Sequence, residues 1–220
     1  MTPPRAFDFA SDVAIVTDAG SRMNGDRAAA VLLAHQGAKV ALVDFNIDWT
    51  KDIKRMIDEE GGTPEVFQAD VTDDEPCKNA VAMMVELDGA VHILVNIVGV
   101  GGAMGDTTTI DMDAWDSDLY ISGTSMVLMS RYAILEMRKQ GRGSIVNMSS
   151  VSGRMLPLIP PIPLLLYLTT KGAIIQITRA IAAHHGRENI HVNCVTLGMV
   201  YTHMTRGRGM TKEIRQARIY

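Results

Sequence analysis

The sequence predicts an α/β protein in which helices cover both faces of a mostly parallel, doubly wound sheet. Three observations lead to this fold class. Six short apolar or β-branched segments alternate with longer segments of helical pattern along the 220 residues, which is the order expected of right-handed β-α-β units. Polar and glycine residues follow the ends of the predicted strands, where such sheets bind ligands. No linker-like stretch or internal repeat interrupts residues 1–220, so a single domain is expected.

The predicted strands are short apolar runs bounded by polar or glycine residues. The first, Val13–Thr17, precedes a loop rich in Gly, Ser and Asn. Nearly continuous apolar and β-branched residues indicate strands buried on both faces, as in a parallel sheet. In chain order the six predicted strands are Val13–Thr17, Lys39–Asp44, Glu65–Gln68, His92–Asn96, Ser144–Met148 and His191–Thr196.

The predicted helices are delimited by glycine and proline. Gly37 suits the end of the first helix, Gly61 the end of the second and Gly141 the end of the fourth, because glycine readily adopts the left-handed conformation that ends a helix. Pro76 stands near the start of the third helix, where its missing N–H costs nothing. In chain order the predicted helices are Arg27–Gln36, Asp48–Glu60, Pro76–Leu87, Trp115–Gln140 and Tyr167–His185.

Composition limits the compartment and the classes of partner. Hydrophobic residues make up 47% of the chain, charged residues make up 21%, and the formal net charge is −4 with dispersed basic residues. This pattern predicts a globular protein that does not bind nucleic acid. The N-terminal Met1–Arg5 lacks the apolar core of a signal peptide, and no apolar run reaches membrane-spanning length. We therefore expect a soluble cytoplasmic protein without a membrane partner.

Cysteine and histidine do not indicate a metal site. Cys77 and Cys194 lie far apart and form no CxxC pair, which favours a reducing compartment over a disulfide framework or zinc site. His184, His185 and His191 lack a carboxylate or cysteine set at ligand spacing. The sequence therefore predicts no metal.

The spacing of Tyr167 and Lys171 indicates acid–base chemistry. On a helix, residues four apart share one face, with Cβ atoms about 5–6 Å apart. A free tyrosine is a poor acid or base at neutral pH, and a nearby cation favours the phenolate form. The serine pair Ser149-Ser150 follows the fifth predicted strand and could bind the same substrate oxygen. The spacing also occurs by chance in many helices, so its weight depends on the residues around it.

A dinucleotide site is predicted at the ends of the first three strands. The loop Thr17–Gly25 joins the first strand to the first helix, and its glycines would let the backbone approach a pyrophosphate at the helix N-terminus. Asp44 ends the second strand, where a carboxylate can bind ribose hydroxyls and repel a 2′-phosphate, which favours NAD over NADP. Asp70 follows the third strand, and two interpretations of it stay open: contact with adenine, or a turn cap.

These motifs resemble the short-chain dehydrogenase/reductase family over residues 8–205. The matching segments, in the order of the family, are Val13–Thr17, Ala19–Ser21, Val43-Asp44, Ala69–Val71, Ile93–Asn96, Gly143–Ser150, Tyr167 with Lys171, and Val192–Val195. The resemblance implies a Rossmann-like fold and hydride transfer between NAD(P) and an alcohol or carbonyl.

The resemblance also implies a role for each matching residue. Tyr167 would be the general acid/base, Lys171 would activate it and hold the nicotinamide ribose, and Ser150 would bind the substrate oxygen, with Ser149 as the alternative. The segment containing Gly198, Val200 and Thr202 would meet the carboxamide end of the nicotinamide. The complete predicted cofactor set is Thr17, Gly20, Ser21, Asn24, Gly25, Asp44, Asp70, Asn96, Tyr167, Lys171, Gly198, Val200 and Thr202.

The phosphate loop departs from the family pattern. Asp18 stands where the family usually has its first glycine, and Asp26-Arg27 stands where one more residue and a further glycine are expected. A carboxylate about 4 Å from a pyrophosphate costs on the order of 1–4 kcal/mol, depending on the effective dielectric constant. Arg22 and Arg27 could offset this repulsion.

Other departures affect the active-site half and the end of the chain. Ile97-Val98 replaces a polar and small pair, and Ser122 stands where the family has a water-binding asparagine. Ser150 and Tyr167 are seventeen positions apart, about four more than in the family, and the surplus falls in the proline-rich loop Arg154–Leu166. After Thr202 no counterpart of the family's last strand is evident, so a C-terminally short domain with an open sixth strand is expected. A homodimer through the fourth and fifth helices remains possible.

Three hypotheses of function follow. The first is an NAD(P)-dependent oxidoreductase that interconverts a secondary alcohol and a ketone or aldehyde on a small, apolar substrate. The second is a catalytically weak or inactive relative that keeps the fold and serves as a binding protein. The third is an interaction subunit that pairs through the sixth strand.

Overall fold

The computed structural model describes residues 7–20, 24–155 and 163–198, the first four residues of the helix that begins at Asn24 by their backbone only. Its centre is one parallel sheet of six strands in the order β3-β2-β1-β4-β5-β6. The strands are β1 Val13–Thr17, β2 Lys39–Asp44, β3 Glu65–Gln68, β4 Ile93–Asn96, β5 Gly143–Ser150 and β6 Ile190–Leu197. The predicted doubly wound α/β fold is confirmed.

The order of the strands fixes where a ligand can enter. The chain builds outward from β1 to β3 and then returns to place β4 on the other side of β1. Successive connections therefore leave the sheet in opposite directions between β1 and β4, which opens a crevice at the carboxyl ends of these two strands. Within the described residues, the sheet ends at β6, which pairs with β5 over eight residues.

Six α-helices are present in the described residues, together with one π-helical turn. They are α1 Asn24–His35, α2 Ile47–Glu59, α3 Asp74–Asp88, α4 Met112–Leu119, α5 Ser125–Gln140 and α6 Leu165–His185. The π turn, Tyr120–Thr124, lies between α4 and α5. No helix in the described ranges is long and apolar enough to cross a membrane.

The single helix predicted over Trp115–Gln140 is wrong in the middle. At the π turn the N–H of Ser125 reaches back to the carbonyl of Tyr120, and a π turn holds one extra residue compared with an α turn. Within this turn, the Ser122 Oγ accepts the backbone N–H of Val100 from outside the helix at 3.2 Å. This long-range bond has no signature in the helical pattern.

Two apolar layers cover the sheet. On one face, Ile15 and Leu94 pack with Met84 of α3 and Met129 of α5. On the other face, Val16 and Leu42 pack with α1 and with Ile53 of α2. All seven of these side chains are at most 2% exposed, so the sheet is buried on both sides, as the apolar strands require.

His92 is a buried titratable residue at the amino ends of the strands, the end of the sheet that lies away from the crevice. His92 accepts the Val13 N–H on Nδ1 at 3.1 Å, and its ring lies 3.8 Å from an Asp12 oxygen that binds Arg142. Burial lowers the pKa of His92 below its ordinary value, and the charge of Arg142 adds to this, while Asp12 opposes it. Protonation would also place an N–H against the Val13 donor.

We expect acid to destabilise the protein partly through His92. The pKa is lower in the folded state than in the unfolded state, so the stabilisation is present above the ordinary value of about 6.5 and is lost as the pH falls through it toward the folded value. Urea unfolding between pH 8 and pH 5 would measure this loss. His92→Asn keeps an acceptor for Val13 but cannot titrate, so its free energy of unfolding should fall less. Equal slopes for both proteins would contradict the assignment.

Candidate active site

Tyr167 and Lys171 lie in the first two turns of α6, above the carboxyl end of β5. The Lys171 ammonium is 5.9 Å from the centre of the Tyr167 ring, as expected for residues that share a helix face. The lysine is 7% exposed and the tyrosine is partly exposed. The predicted pair is thus formed, with the cation beneath a phenol that solvent can reach.

Strand β5 holds Lys171 at both ends. The Nζ atom donates to the Met148 carbonyl at 3.3 Å, and the Lys171 carbonyl accepts the Ser149 hydroxyl at 2.7 Å. A charged amine that leaves water must keep hydrogen-bond partners. The first bond holds the end of the side chain and the second holds its backbone, so the charge has a defined position next to the phenol.

The two serines of the pair differ in what their hydroxyls do. Ser149 is 2% exposed, and its hydroxyl donates to the Lys171 carbonyl. Ser150 accepts the Ser152 N–H at 3.2 Å and caps a short 3-10 turn, Val151–Gly153. A hydroxyl that accepts in this way still has its own proton to donate. Of the two serines, Ser150 is therefore the one whose hydroxyl proton can be donated to a ligand.

Two glycines that the sequence interpretation missed allow the chain to close around the pair. A Cβ on Gly153 would stand 2.5 Å from the carbonyl carbon and oxygen of Lys171, and one on Gly102, at φ +80°, would stand 3.2 Å from the Tyr167 nitrogen. Any side chain at Gly153 would displace the backbone of α6 at Lys171. Their sequence signal is weak, because what requires glycine is an approach between segments far apart in the chain.

A cavity of about 730 Å³ opens along the carboxyl ends of β2, β3 and β4. Its wall is mostly apolar but includes four carboxylates. The lining residues are Asp18, Val43, Asp44, Phe45, Ala69, Asp70, Val71, Thr72, Val98, Gly99, Val100, Asp116, Ser117, Tyr120 and Ile121. Gly99 connects the cavity to the Tyr167–Lys171 pair, because a Cβ there would lie 3.1 Å from Lys171 Nζ. One elongated ligand could reach from β3 to Lys171.

Asp44 is built into the phosphate-loop side of the cavity. It is 2% exposed, and its two oxygens accept the N–H groups of Gly20 at 2.9 Å and Asn46 at 2.8 Å. Burial raises the pKa of Asp44, while these two bonds act in the opposite direction. Gly20 in turn lies against α2, where a Cβ would meet Trp49 at 2.6 Å. Asp44 therefore ties the first loop to the start of α2.

Three further predicted cofactor residues, Thr17, Asn96 and Asp70, differ in whether they line the cavity. The Oγ1 of Thr17 accepts the Ile97 N–H at 3.1 Å, and the Asn96 amide donates to Asn147 at 2.9 Å, so both side chains bridge strands inside the protein and neither lines the cavity. Asp70 does line the cavity, and one of its oxygens accepts the N–H and hydroxyl of Thr72. That contact is the turn cap that the sequence left open.

The other predicted residues lie near or beyond the limits of the described chain. Gly198 is exposed just after β6. Asn24 and Gly25 form the first turn of α1, and Ser21, Val200 and Thr202 lie outside the described residues. The roles of these six residues stay predictions.

Two exposed aromatic rings at the cavity were not foreseen. Phe45 is 57% exposed and meets Trp49 edge-on at 5.1 Å, and Tyr120 of the π turn is 49% exposed. The sequence offered one signal for such a ring, because Phe45 directly follows Asp44. Apolar rings beside a carboxylate and closely approaching glycines fit the adenosine half of a dinucleotide, which needs both a flat apolar contact and a hydroxyl acceptor.

Known proteins share both the sequence and the fold. A family model described as enoyl-(acyl carrier protein) reductase matches residues 27–219. The protein named probable galactose dehydrogenase GalD of Rhizobium meliloti is 32% identical over 203 residues, 90% of this chain and 75% of its own. A crystal structure described as a short-chain dehydrogenase/reductase from Burkholderia xenovorans has a TM-score of 0.88 at 32% identity, covering 96% of this chain and 83% of that one. NAD+-bound xylitol dehydrogenase has a TM-score of 0.79 at 29% identity, over 86% and 71%.

The matched region begins at residue 27, directly after the unusual phosphate loop, and continues through β5 and the Tyr167–Lys171 pair. It includes the strand ends that form the cavity, apart from β1. The chain therefore belongs to the short-chain dehydrogenase/reductase family of NAD(P)-dependent oxidoreductases.

Proposed function

We propose that this protein interconverts a secondary alcohol and a ketone or aldehyde on a small, apolar substrate, with NAD preferred over NADP. One observation carries the proposal: β5 fixes the Lys171 ammonium 5.9 Å from the Tyr167 ring, and the Ser150 hydroxyl stands at the end of the same strand. This arrangement supports the proposal because it would supply an acid/base, a cation beside it and a hydrogen-bond donor for one substrate oxygen.

Each of the three side chains has a separate task. The Tyr167 phenol would exchange the proton of the substrate hydroxyl, and Lys171 would stabilise negative charge on the phenol oxygen. Ser150 would donate to the substrate oxygen and orient it. NAD(P), when bound, exchanges a hydride with the substrate carbon. Lys171 and the cavity residues Asp44 and Phe45 would hold it.

Apolar side chains near the catalytic pair support an apolar substrate. Val151 follows Ser150 directly, and Met155 is bonded to Val151 through the backbone. Met104 lies two residues from Gly102, which touches Tyr167. These three side chains are between 39% and 63% exposed. Since exposed methionines adapt to irregular apolar shapes, they suit a hydrocarbon ring or chain better than a sugar.

Charge supports the preference for NAD. Asp18, Asp44, Asp70 and Asp116 line the cavity, and no lysine or arginine does so among the residues that the structure describes. A 2′-phosphate would therefore meet repulsion without a described counter-charge, and a ribose hydroxyl would meet acceptors.

We expect NADH to bind at least about tenfold more tightly than NADPH, and Asp44→Asn to reduce this ratio by about tenfold, or about 1.4 kcal/mol. Fluorescence titration of each cofactor measures both dissociation constants. Asp44→Asn also replaces one of the two oxygens that accept the backbone N–H groups of Gly20 and Asn46, and this loss should weaken the binding of both cofactors alike. The ratio of the two dissociation constants is therefore the informative quantity. Asp52→Asn, an exposed position on α2, is the matched control and should leave the ratio unchanged. Equal binding of the two cofactors to the unaltered protein would refute the preference.

The alternative is a weak or inactive relative that acts as a binding protein. Asp18 favours it, because this carboxylate stands in the cavity at a loop position of φ +56°. Titration with NADH and NADPH separates the two functions. Absence of binding at millimolar cofactor would reject the enzyme, and binding together with turnover of an apolar secondary alcohol would reject the alternative.

A further inference from the structure

A chain of buried polar groups crosses the interior between β4, β5, α5 and α6. The Asn147 amide donates to Thr178 Oγ1 at 3.0 Å, and its oxygen accepts the Asn96 amide at 2.9 Å. The Asn96 amide also donates to Ser130 of α5 at 3.2 Å. All four residues are at most 3% exposed. Buried amides and hydroxyls are costly unless they are bonded, so such a network specifies one arrangement of its elements.

This network meets the catalytic helix at a defined distance from Lys171. Asn147 and Ser149 are alternate residues of β5 and therefore point to the same face of the sheet, where Ser149 binds the Lys171 carbonyl and Asn147 binds Thr178. On α6, Thr178 is seven residues after Lys171, which is two turns along the same side. Two side chains that are two residues apart on β5 therefore bind α6 at two points that are two turns apart.

We infer that Asn147 and Thr178 are positioning residues that set the register of α6 on β5 and thereby place Lys171 and Tyr167. An apolar contact alone would tolerate a small slide or rotation of the helix, because it has no preferred direction. The Asn147–Thr178 bond does not tolerate it, because a shift leaves an amide N–H unpaired in the interior. Together with the Ser149 bond it fixes two points of the helix, and two points fix both rotation and translation.

The matched pair Thr178→Val and Thr178→Ser tests this role. Valine keeps the shape of threonine and removes the hydroxyl, while serine keeps the hydroxyl and removes the methyl group. An activity-independent readout is the rate of reductive methylation of Lys171 relative to exposed Lys139, measured by peptide mass spectrometry. Thr178→Val should raise this relative rate by about tenfold, and Thr178→Ser should resemble the unaltered protein. Turnover should fall by about tenfold or more in the valine variant, and NADH affinity should weaken by a smaller factor, because Lys171 is only one of the residues that would hold the cofactor.

Thr50→Val is the control that distinguishes a general loss of stability from a shift of Lys171. Thr50 is also a buried helical threonine, and its hydroxyl donates to the Ile47 carbonyl on α2, remote from the catalytic pair. At equal loss of melting temperature this variant should leave Lys171 labelling unchanged. Unchanged Lys171 labelling in Thr178→Val would overturn the inference, and so would equal acceleration in Thr50→Val. The turnover arm depends on the proposed function, whereas the labelling arm does not, so a protein without NADH turnover would still decide the positioning role.

Discussion

Replacing Tyr167 with phenylalanine is expected to lower turnover by about a hundredfold to ten-thousandfold while NADH affinity changes by less than about twofold. The change removes one oxygen, the atom that would exchange a proton with the substrate. The ring remains, so Lys171 keeps its bonds to Met148 and Ser149. Steady-state turnover of an apolar secondary alcohol and fluorescence titration with NADH provide the two measurements.

Tyr132→Phe is the control for removal of a phenol oxygen elsewhere. Tyr132 lies on the outer surface of α5, and its hydroxyl donates to Asp74 of α3. Turnover should therefore stay at the level of the unaltered protein. If Tyr167→Phe turned over as fast as the unaltered protein, the acid/base assignment would be wrong even where NADH binds. If both variants lost activity equally, the loss would reflect the fold rather than the chemistry.

The fold followed from the sequence wherever both faces of an element are buried. The predicted bounds of β1, β2 and β3 agree with the structure at both ends. β1 and β2 are buried along nearly their whole length, whereas β3 lies at the edge of the sheet and the polar residues Glu65 and Gln68 mark its ends. β5 is longer than predicted by one residue at its start and two at its end. Its last residues, Ser149 and Ser150, are polar because the site uses them, so hydrophobicity alone could not include them.

The site was predictable as a set of residues but not as a set of contacts. The Tyr167–Lys171 spacing defines a helix face, and the structure shows the pair on that face. Which serine remains available depends on the Lys171 carbonyl, and the requirement for glycine at 153 depends on the approach of α6 to the end of β5. Both are distances between segments that are separate in the chain. The bonds of Asp44 to Gly20 and Asn46 are of the same kind.

Asp18→Gly is expected to tighten NADH binding by about tenfold. Residue 18 has φ +56°, a left-handed conformation that glycine adopts freely and that costs an L-residue roughly 1–2 kcal/mol, somewhat less for aspartate. Its carboxylate also belongs to the cavity wall, where it would add repulsion of order 1 kcal/mol or more against a pyrophosphate. Glycine removes the repulsion, and isothermal calorimetry with NADH measures this gain as tighter binding. The backbone conformation is already present without cofactor, so relief of its strain is measured as a higher free energy of unfolding.

Asp18→Asn separates the two causes, because asparagine tolerates the left-handed conformation and carries no charge. Tightening by both variants would assign the weakness to charge, and tightening by glycine alone would assign it to the space that a side chain at position 18 occupies in the cavity wall. Unchanged affinity in both would mean that Asp18 does not oppose the cofactor, which removes the main reason to regard the chain as a weakened enzyme. Conversely, a glycine variant that binds NADH more tightly and also gains turnover would show that the Ser150, Tyr167 and Lys171 set is competent and that binding, not chemistry, limits the protein.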